Sequence, residues 1–193
     1  MTGDINMSFD IEFLPKEQWK GTILLMDYVT PTYYDVEVQR QKQGFSVNIQ
    51  LREFLEPLVI RSETYDFPDS LYQDHWVDAE AYGILHEGEL IAAMELCPES
   101  WSNRLRMTEL WVHPDFQKQG LGGKLMDFAK DYVRKKKYRT LMLETQSCNV
   151  NAVDFYLHKG LTLIGFDACC YNNKDLERKE VRLEMGWFPE ETA

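Results

Sequence analysis

The reading of this chain turns on the stretch Gln117-Lys118-Gln119-Gly120-Leu121-Gly122-Gly123. It follows an apolar run that ends at Val112. It opens a segment in which Leu121, Leu125, Phe128, Ala129, Tyr132 and Val133 recur at spacings of three and four, one stripe of an amphipathic helix. A strand therefore runs into a glycine-opened helix. Glycines there let the backbone approach a ligand with no Cβ in the way, and first-turn N–H groups lack intrahelical partners. Together with the helix dipole they form an anion site, and Lys118 and Lys124 add charge at its rim. Three glycines can also be no more than a tight turn. The pattern is neither the Walker loop, which needs G-K-[ST], nor the Rossmann G-x-G-x-x-G. Its place directly after a strand favours phosphate.

Working outward, Ala81–His86 and Leu90–Cys97 flank Glu87-Gly88-Glu89 and read as a hairpin, and Met107–Val112 is a strand stopped by Pro114. Upstream, Tyr34–Arg40 and Phe45–Arg52 alternate across Gln43-Gly44, a second hairpin, and Ser8–Leu14 reads as a short strand. Residues 53–78 mix aromatics and acids with Pro57 and Pro68, and read as short helices and loop. Downstream, the helix ends on Arg134-Lys135-Lys136-Lys137, cations that suit its C-terminal dipole. Leu141–Glu144 is a strand. Asn149 or Asn151 caps a helix whose apolar face is Ala152, Phe155 and Tyr156, and Gly160 stops it. Leu161–Tyr171 and Val181–Phe188 are strands around a charged loop, and 189–193 is a frayed tail. From residue 81 the order is β-β-β-α-β-α-β-β, a mixed α/β sheet domain.

Composition narrows the function. A chain of 193 residues, 44% apolar, fills one core and makes one domain. Its net charge of −11 argues against a nucleic-acid partner. No run of about 18 apolar residues suggests a membrane span, and the acidic first ten residues do not read as a secretory signal. Cys97, Cys148, Cys169 and Cys170 show no C-x-x-C spacing; Cys169 and Cys170 would point to opposite faces of a strand, and free thiols suggest the cytoplasm. His75, His86, His113 and His158 lack metal-ligand spacing, so no metal is expected. Charge is also uneven. Residues 1–110 carry 20 acidic against 8 basic side chains, whereas 111–193 carry 12 against 13. An acidic chain is ordinarily only a soluble one, but this asymmetry suits an anionic cofactor on one half and a cationic substrate on the other.

The strand, then Gln117-x-x-Gly120-x-Gly122, then an amphipathic helix, resembles motif A of the GNAT superfamily, with Gln117 where Arg is commoner. Met142-Leu143-Glu144-Thr145-Gln146, followed by Asn149, Asn151-Ala152 and Phe155-Tyr156 before Gly160, resembles motif B. Leu141 through Ile164-Gly165 is similar, more narrowly, to streptothricin acetyltransferases. The resemblance implies an α/β GNAT fold, a mixed and mostly antiparallel sheet with helices on both faces. Residues 81–188 would be its acetyl-CoA-binding core and 1–80 a variable acceptor-side portion. It further implies that amides from Lys118, Gln119, Gly120, Leu121, Gly122 and Gly123 hold the acetyl-CoA pyrophosphate. The backbone of Leu110, Trp111 and Val112 would pair with the pantetheine arm, Asn149, Asn151 and Ala152 would line its far side, and Phe155 and Tyr156 would flank the thioester.

Amine acetylation needs a neutral amine, a polarised carbonyl and a proton for the departing thiolate. Tyr156 is the natural acid, although tyrosines at this helical spacing are usually core. Glu109 is the first choice for base and Glu144 the second; the two can also act together by attracting an ammonium. No Cys or Ser has nucleophile-activating spacing to a His, so the amine attacks directly. Trp19, Trp76, Trp101 and Trp111 read as core or pocket wall rather than a cation cage. The expected partner is a small cationic amine, and a homodimer is compatible with the sequence. Protein lysine or N-terminal acetylation, and a non-catalytic acyl-CoA-binding module, remain open alternatives.

Overall fold

The computed structural model describes residues 9–62 and 69–190. Its elements in chain order are β1 (Glu12–Leu14), α1 (Lys16–Trp19), β2 (Tyr28–Gln41), β3 (Gly44–Ile60), β4 (Glu80–His86), β5 (Glu89–Glu99), β6 (Arg104–Val112), α2 (Leu121–Lys136), β7 (Thr140–Gln146), α3 (Val150–His158), β8 (Thr162–Asp167), α4 (Asp175–Arg178) and β9 (Arg182–Trp187). They fall into two compact units, one of Met1–Leu25 with Pro68–Tyr138, the other of Met26–Phe67 with Arg139–Ala193.

In the first unit β1, β4, β5 and β6 pair in that order, each antiparallel to the next. The β4–β5 hairpin closes through Glu87 and Gly88, whose φ values of 53° and 86° are the left-handed pair of a two-residue turn. β6 carries the decisive irregularity. Glu95 faces Glu109 and Leu96 faces Met107, so Thr108 is an extra residue, a β-bulge. The bulge changes which residues share a face. Leu105 and Met107 before it, and Leu110 and Val112 after it, all lie opposite Pro98, Leu96, Met94 and Ala92. The other face receives Arg104, Arg106, Glu109 and Trp111 opposite Glu99, Cys97, Glu95 and Ala93. One extra residue thus separates an apolar face from a charged one. α2 packs on β5 and β6 with Leu121, Leu125, Met126, Ala129 and Val133 buried; of the expected stripe Phe128 and Tyr132 are only half-buried, and Met126, which the periodicity left out, is buried instead.

Tyr72 ties this unit together. Its hydroxyl donates to the Leu14 carbonyl at 2.5 Å and accepts from the Ala81 N–H at 2.9 Å, bridging partners in the β1–β4 ladder. Its own N–H donates to Glu95 Oε2 at 2.5 Å. These bonds hold Tyr72 at φ 59°, a left-handed conformation unusual for an aromatic residue.

In the second unit β7, β9 and β8 pair in that order, again antiparallel, and β2 with β3 forms a long separate hairpin. The Tyr34 N–H donates to the Ser147 carbonyl at 2.9 Å. Val36 and the partly buried Tyr34 and Ile49 share a core with Val153 of α3 and with Val181 and Leu183. The hairpin's one register shift falls where its prolines are. Pro31 lies between the paired Thr30 and Thr32, and Pro57 lies among residues 54–57, opposite which no β2 residue is in register. Proline has no N–H to give a ladder.

Several expectations change. Residues 53–60 continue β3 rather than forming loop, and residues 63–68 lie outside the described set. The first hairpin turns at Lys42-Gln43, because Gln41 pairs Gly44. β1 starts only at Glu12. β8 ends at Asp167, so Cys169 and Cys170 sit in an exposed turn, not on opposite strand faces. α1 and α4 are single turns, too short to leave a periodic signal.

Tyr72→Phe deletes one hydroxyl and strands a buried carbonyl and N–H. It should lower unfolding free energy by about 1–3 kcal/mol, read by urea titration. An unchanged midpoint would show that water replaces the bridge.

Candidate active site

Consecutive residues of β6 lead into the glycine loop. Glu109 is buried, with 6% of its surface exposed, while Leu110, Trp111 and Val112 are half-buried. Trp111 Nε1 donates to the Leu25 carbonyl at 3.1 Å, which fixes the indole. A 3-10 turn follows at Pro114–Phe116. The side-chain amides of Gln117 and Gln119 then fold back, donating to the Val112 and Asp115 carbonyls at 3.2 Å each. Lys118 at φ 61° and Gly120 at φ 87° are both left-handed and curl the chain into the helix. Gly120 is the N-cap of α2 and supplies no side-chain cap. The first helical bond is from the Lys124 N–H to the Gly120 carbonyl, so the amides of Leu121, Gly122 and Gly123 precede the ladder. The Lys124 ammonium bonds the Phe9 carbonyl. A sixteen-residue helix whose N-cap supplies no side-chain acceptor and whose second and third residues are glycine has the build of the helix N-termini at which anions bind.

Sequence reasoning missed Glu95. It is fully buried directly opposite Glu109, and its Oε1 accepts from the Thr108 hydroxyl at 2.9 Å. Burial pushes its carboxyl above the usual range, against the opposing effect of the bonds from Tyr72 and Thr108. The signal was present. Apolar residues occupy odd positions at Leu105 and Met107 and even ones at Leu110 and Val112, a slip that only a bulge explains.

In the second unit, Asn149 caps α3, its Oδ1 accepting from the Ala152 N–H at 3.3 Å. Asn151 is exposed, and Ala152 and Phe155 are half-buried. Tyr156 is buried, its ring edge-on to Phe155 at 5.6 Å. The turn before the helix is pinned by the Ser147 N–H to the Val181 carbonyl at 2.7 Å and by Tyr28, whose hydroxyl donates to Gln146 Oε1 at 2.6 Å. Glu144 lies opposite Glu184, and Arg182 joins both, at 3.2 Å and 2.6 Å. Burial works against the Arg182 charge, but Glu184 and Glu144 outweigh it and keep the guanidinium protonated. Glu144 is therefore already an ion-pair partner.

The pattern of the acetyltransferase (GNAT) family matches residues 48–161, more than half of the chain. The chain belongs to the GNAT acetyltransferase family. It is 28% identical over 111 residues to an Escherichia coli streptothricin acetyltransferase, covering 58% of this chain and 63% of that one. It is also 28% identical over 85 residues to a Streptomyces lavendulae streptothricin acetyltransferase, covering 44% and 45%. The matched stretch thus spans less than two thirds of these relatives. The crystal structure of a nourseothricin acetyltransferase shares the fold at a TM-score of 0.70 and 21% identity, over 94% of this chain and 99% of that one. A Bacillus anthracis structure holding acetyl coenzyme A also shares it, at 0.70 and 18%, over 95% and 99%. At 94–95% of this chain, the fold likeness takes in described residues of the N-terminal portion as well.

Gly122→Asp separates stability from binding. A carboxylate in the first turn of α2 favours the helix by roughly 0.3–1 kcal/mol while repelling pyrophosphate. The variant should keep its circular dichroism and melting temperature and lose acetyl-CoA binding by calorimetry. Unchanged affinity would remove the loop from the cofactor site.

Proposed function

We propose that this chain transfers an acetyl group from acetyl-CoA to a primary amine of a small cationic acceptor. The observation that carries the reading is the uncapped, glycine-opened N-terminus of α2 immediately downstream of β6, in a GNAT-family chain. Relatives named for streptothricin acetylation support an amine acceptor of that kind, and the acetyl-CoA in the Bacillus anthracis structure supports the donor.

Residues 117–124 hold the pyrophosphate through backbone amides, and Leu110, Trp111 and Val112 offer main-chain groups to the pantetheine arm. Asn149, Asn151, Ala152 and Phe155 complete the cofactor contacts. An amine of pKa about 10.4 is neutral in roughly one molecule per few thousand at pH 7, so a base must take its proton. Glu109 has that role. The amine nitrogen bonds to the acetyl carbon and the C–S bond breaks. Tyr156 then gives its phenolic proton to the CoA thiolate and recovers one from solvent. N–H groups at the bulged strand polarise the carbonyl. Glu144, shared with Arg182, contributes to the negative field met by the acceptor.

A panel of cationic amines with acetyl-CoA, followed by thiol release, tests the reading. Neutral or anionic acceptors that outperform every amine would refute it. Tyr156→Phe keeps the ring and deletes the proton donor, so kcat should fall by roughly 10²–10⁴ with acetyl-CoA affinity intact. Normal turnover would return Tyr156 to the core. Glu109→Gln should depress kcat by a similar factor, because geometry survives and proton acceptance does not. If Glu109 only attracts the ammonium, the change appears in KM. For the wild type, kcat/KM should fall as ionic strength rises, since steering of a cation by an acidic protein is screened.

A further inference from the structure

The four cysteines of this chain occupy two kinds of setting. Cys97 and Cys148 are buried and single, whereas Cys169 and Cys170 are adjacent and exposed, in the turn that follows β8. Side chains hold that turn at both ends. Asp167 Oδ1 accepts from the Cys169 N–H at 2.9 Å. Asp175, which has no exposed surface, accepts from the Tyr171 N–H at 2.9 Å. The dipeptide between these anchors lies outside any strand, so its side chains escape the opposite-face alternation that a strand imposes. Arg182 Nη1 donates to Cys170 Sγ at 3.1 Å while Nη2 holds Glu184 at 2.6 Å, which fixes the second sulfur in turn. Two neighbouring thiols, anchored and open to solvent, make a chelating group, and the acetyl-transfer reading uses neither of them.

We propose that Cys169 and Cys170 form a vicinal-dithiol site that captures trivalent arsenicals carrying one organic group. Ligand count favours this class. Such an arsenical has two exchangeable positions and asks for two sulfurs, whereas zinc takes four ligands. Among the described residues no group of three or more His, Cys, Asp or Glu side chains could hold a metal ion. Geometry favours it over a disulfide between the same two residues. Adjacent Cα atoms lie about 3.8 Å apart across a trans peptide, closer than the roughly 4.4 Å at which disulfides begin. An arsenic atom between the sulfurs enlarges the ring and relieves that strain. Protonation points the same way. Burial raises the Cys170 thiol against the pull of Arg182, and the Asp167 carboxylate raises Cys169. Peroxide is attacked by thiolate, which such groups supply sparingly. Capture of the arsenical needs no oxidant. Two As–S bonds replace two As–OH bonds, each thiol proton leaves with a hydroxide as water, and arsenic stays trivalent.

Intact mass spectrometry of the reduced, folded chain incubated with phenylarsine oxide tests the site without reference to acetyl transfer. The wild type should gain one phenylarsenic group and lose two thiol hydrogens. Excess 2-mercaptoethanol should leave that adduct in place, and dimercaptopropanol should remove it. Cys169→Ser and Cys170→Ser should each abolish the monothiol-resistant adduct with circular dichroism unchanged, while Cys97→Ser should retain it. A wild type that forms no adduct, or one that a monothiol strips, overturns the proposal. So does an adduct that survives in either Cys169→Ser or Cys170→Ser, or one that is lost with Cys97.

Discussion

A carboxylate with no exposed surface organises the first unit. Glu95 accepts from the Tyr72 main chain through one oxygen and from the Thr108 hydroxyl through the other. Satisfying both oxygens is the condition for burying such a group at all. Thr108 is the bulged residue, and Tyr72 is the left-handed residue whose hydroxyl bridges β1 and β4. The same side chain therefore holds the bulge in β6 and the clamp on the sheet edge. Without the bulge, Glu109 would follow Leu105 and Met107 onto the apolar face. With it, Glu109 stands on the charged face, near the beginning of the run that leads to the glycine loop. Burial raises the proton affinity of Glu95, so the arrangement works against its own charge and is kept by geometry.

Downstream, helix stability is given up for exposed main-chain groups. Gly122 and Gly123 in a first helical turn weaken α2 by up to about 1 kcal/mol each relative to alanine. Gly120 as N-cap withholds the side-chain oxygen that serine or aspartate would supply. Lys118 adopts a left-handed conformation that is uncommon outside glycine and asparagine. Each choice leaves main-chain N–H groups facing outward in place of a better-formed helix. The long buried stripe from Leu121 to Val133 anchors the rest of α2 on β5 and β6, so the helix tolerates a weak beginning.

Features that are local in sequence were legible. The glycine loop, the α2 stripe, the Asn149 cap and the two hairpins each follow from residues within one turn or one strand, where propensity and spacing speak directly. What was not legible depends on partners far along the chain. Continuation of β3 through Pro57 is tolerated because residues 54–57 have no ladder partner, which composition does not reveal. The turn at Cys169-Cys170 follows from β8 ending at Asp167, whose carboxylate accepts from the Cys169 N–H. Arg182 joins Glu144 and Glu184 across paired strands, and only the register puts them together. The Thr108 bulge falls between these cases. Its parity slip is visible in the sequence, but its consequence for Glu109 needs the pairing with β5.

The two candidate carboxylates end in unlike surroundings, and that difference bears on their roles. Glu144 has a guanidinium at 3.2 Å, itself held at 2.6 Å by Glu184, so a cation already occupies its neighbourhood. Glu109 is instead placed by the backbone, one residue after the bulge and opposite a carboxylate whose own proton affinity is raised. A base must be fixed in position and must gain from taking up a proton. The buried strand position of Glu109 meets the first of these conditions, and it is the ground on which Glu109 is proposed as the base. The proposed roles, a proton acceptor at Glu109 and a field-setting pair at Glu144, thus rest on environment, with the same side-chain chemistry in both positions.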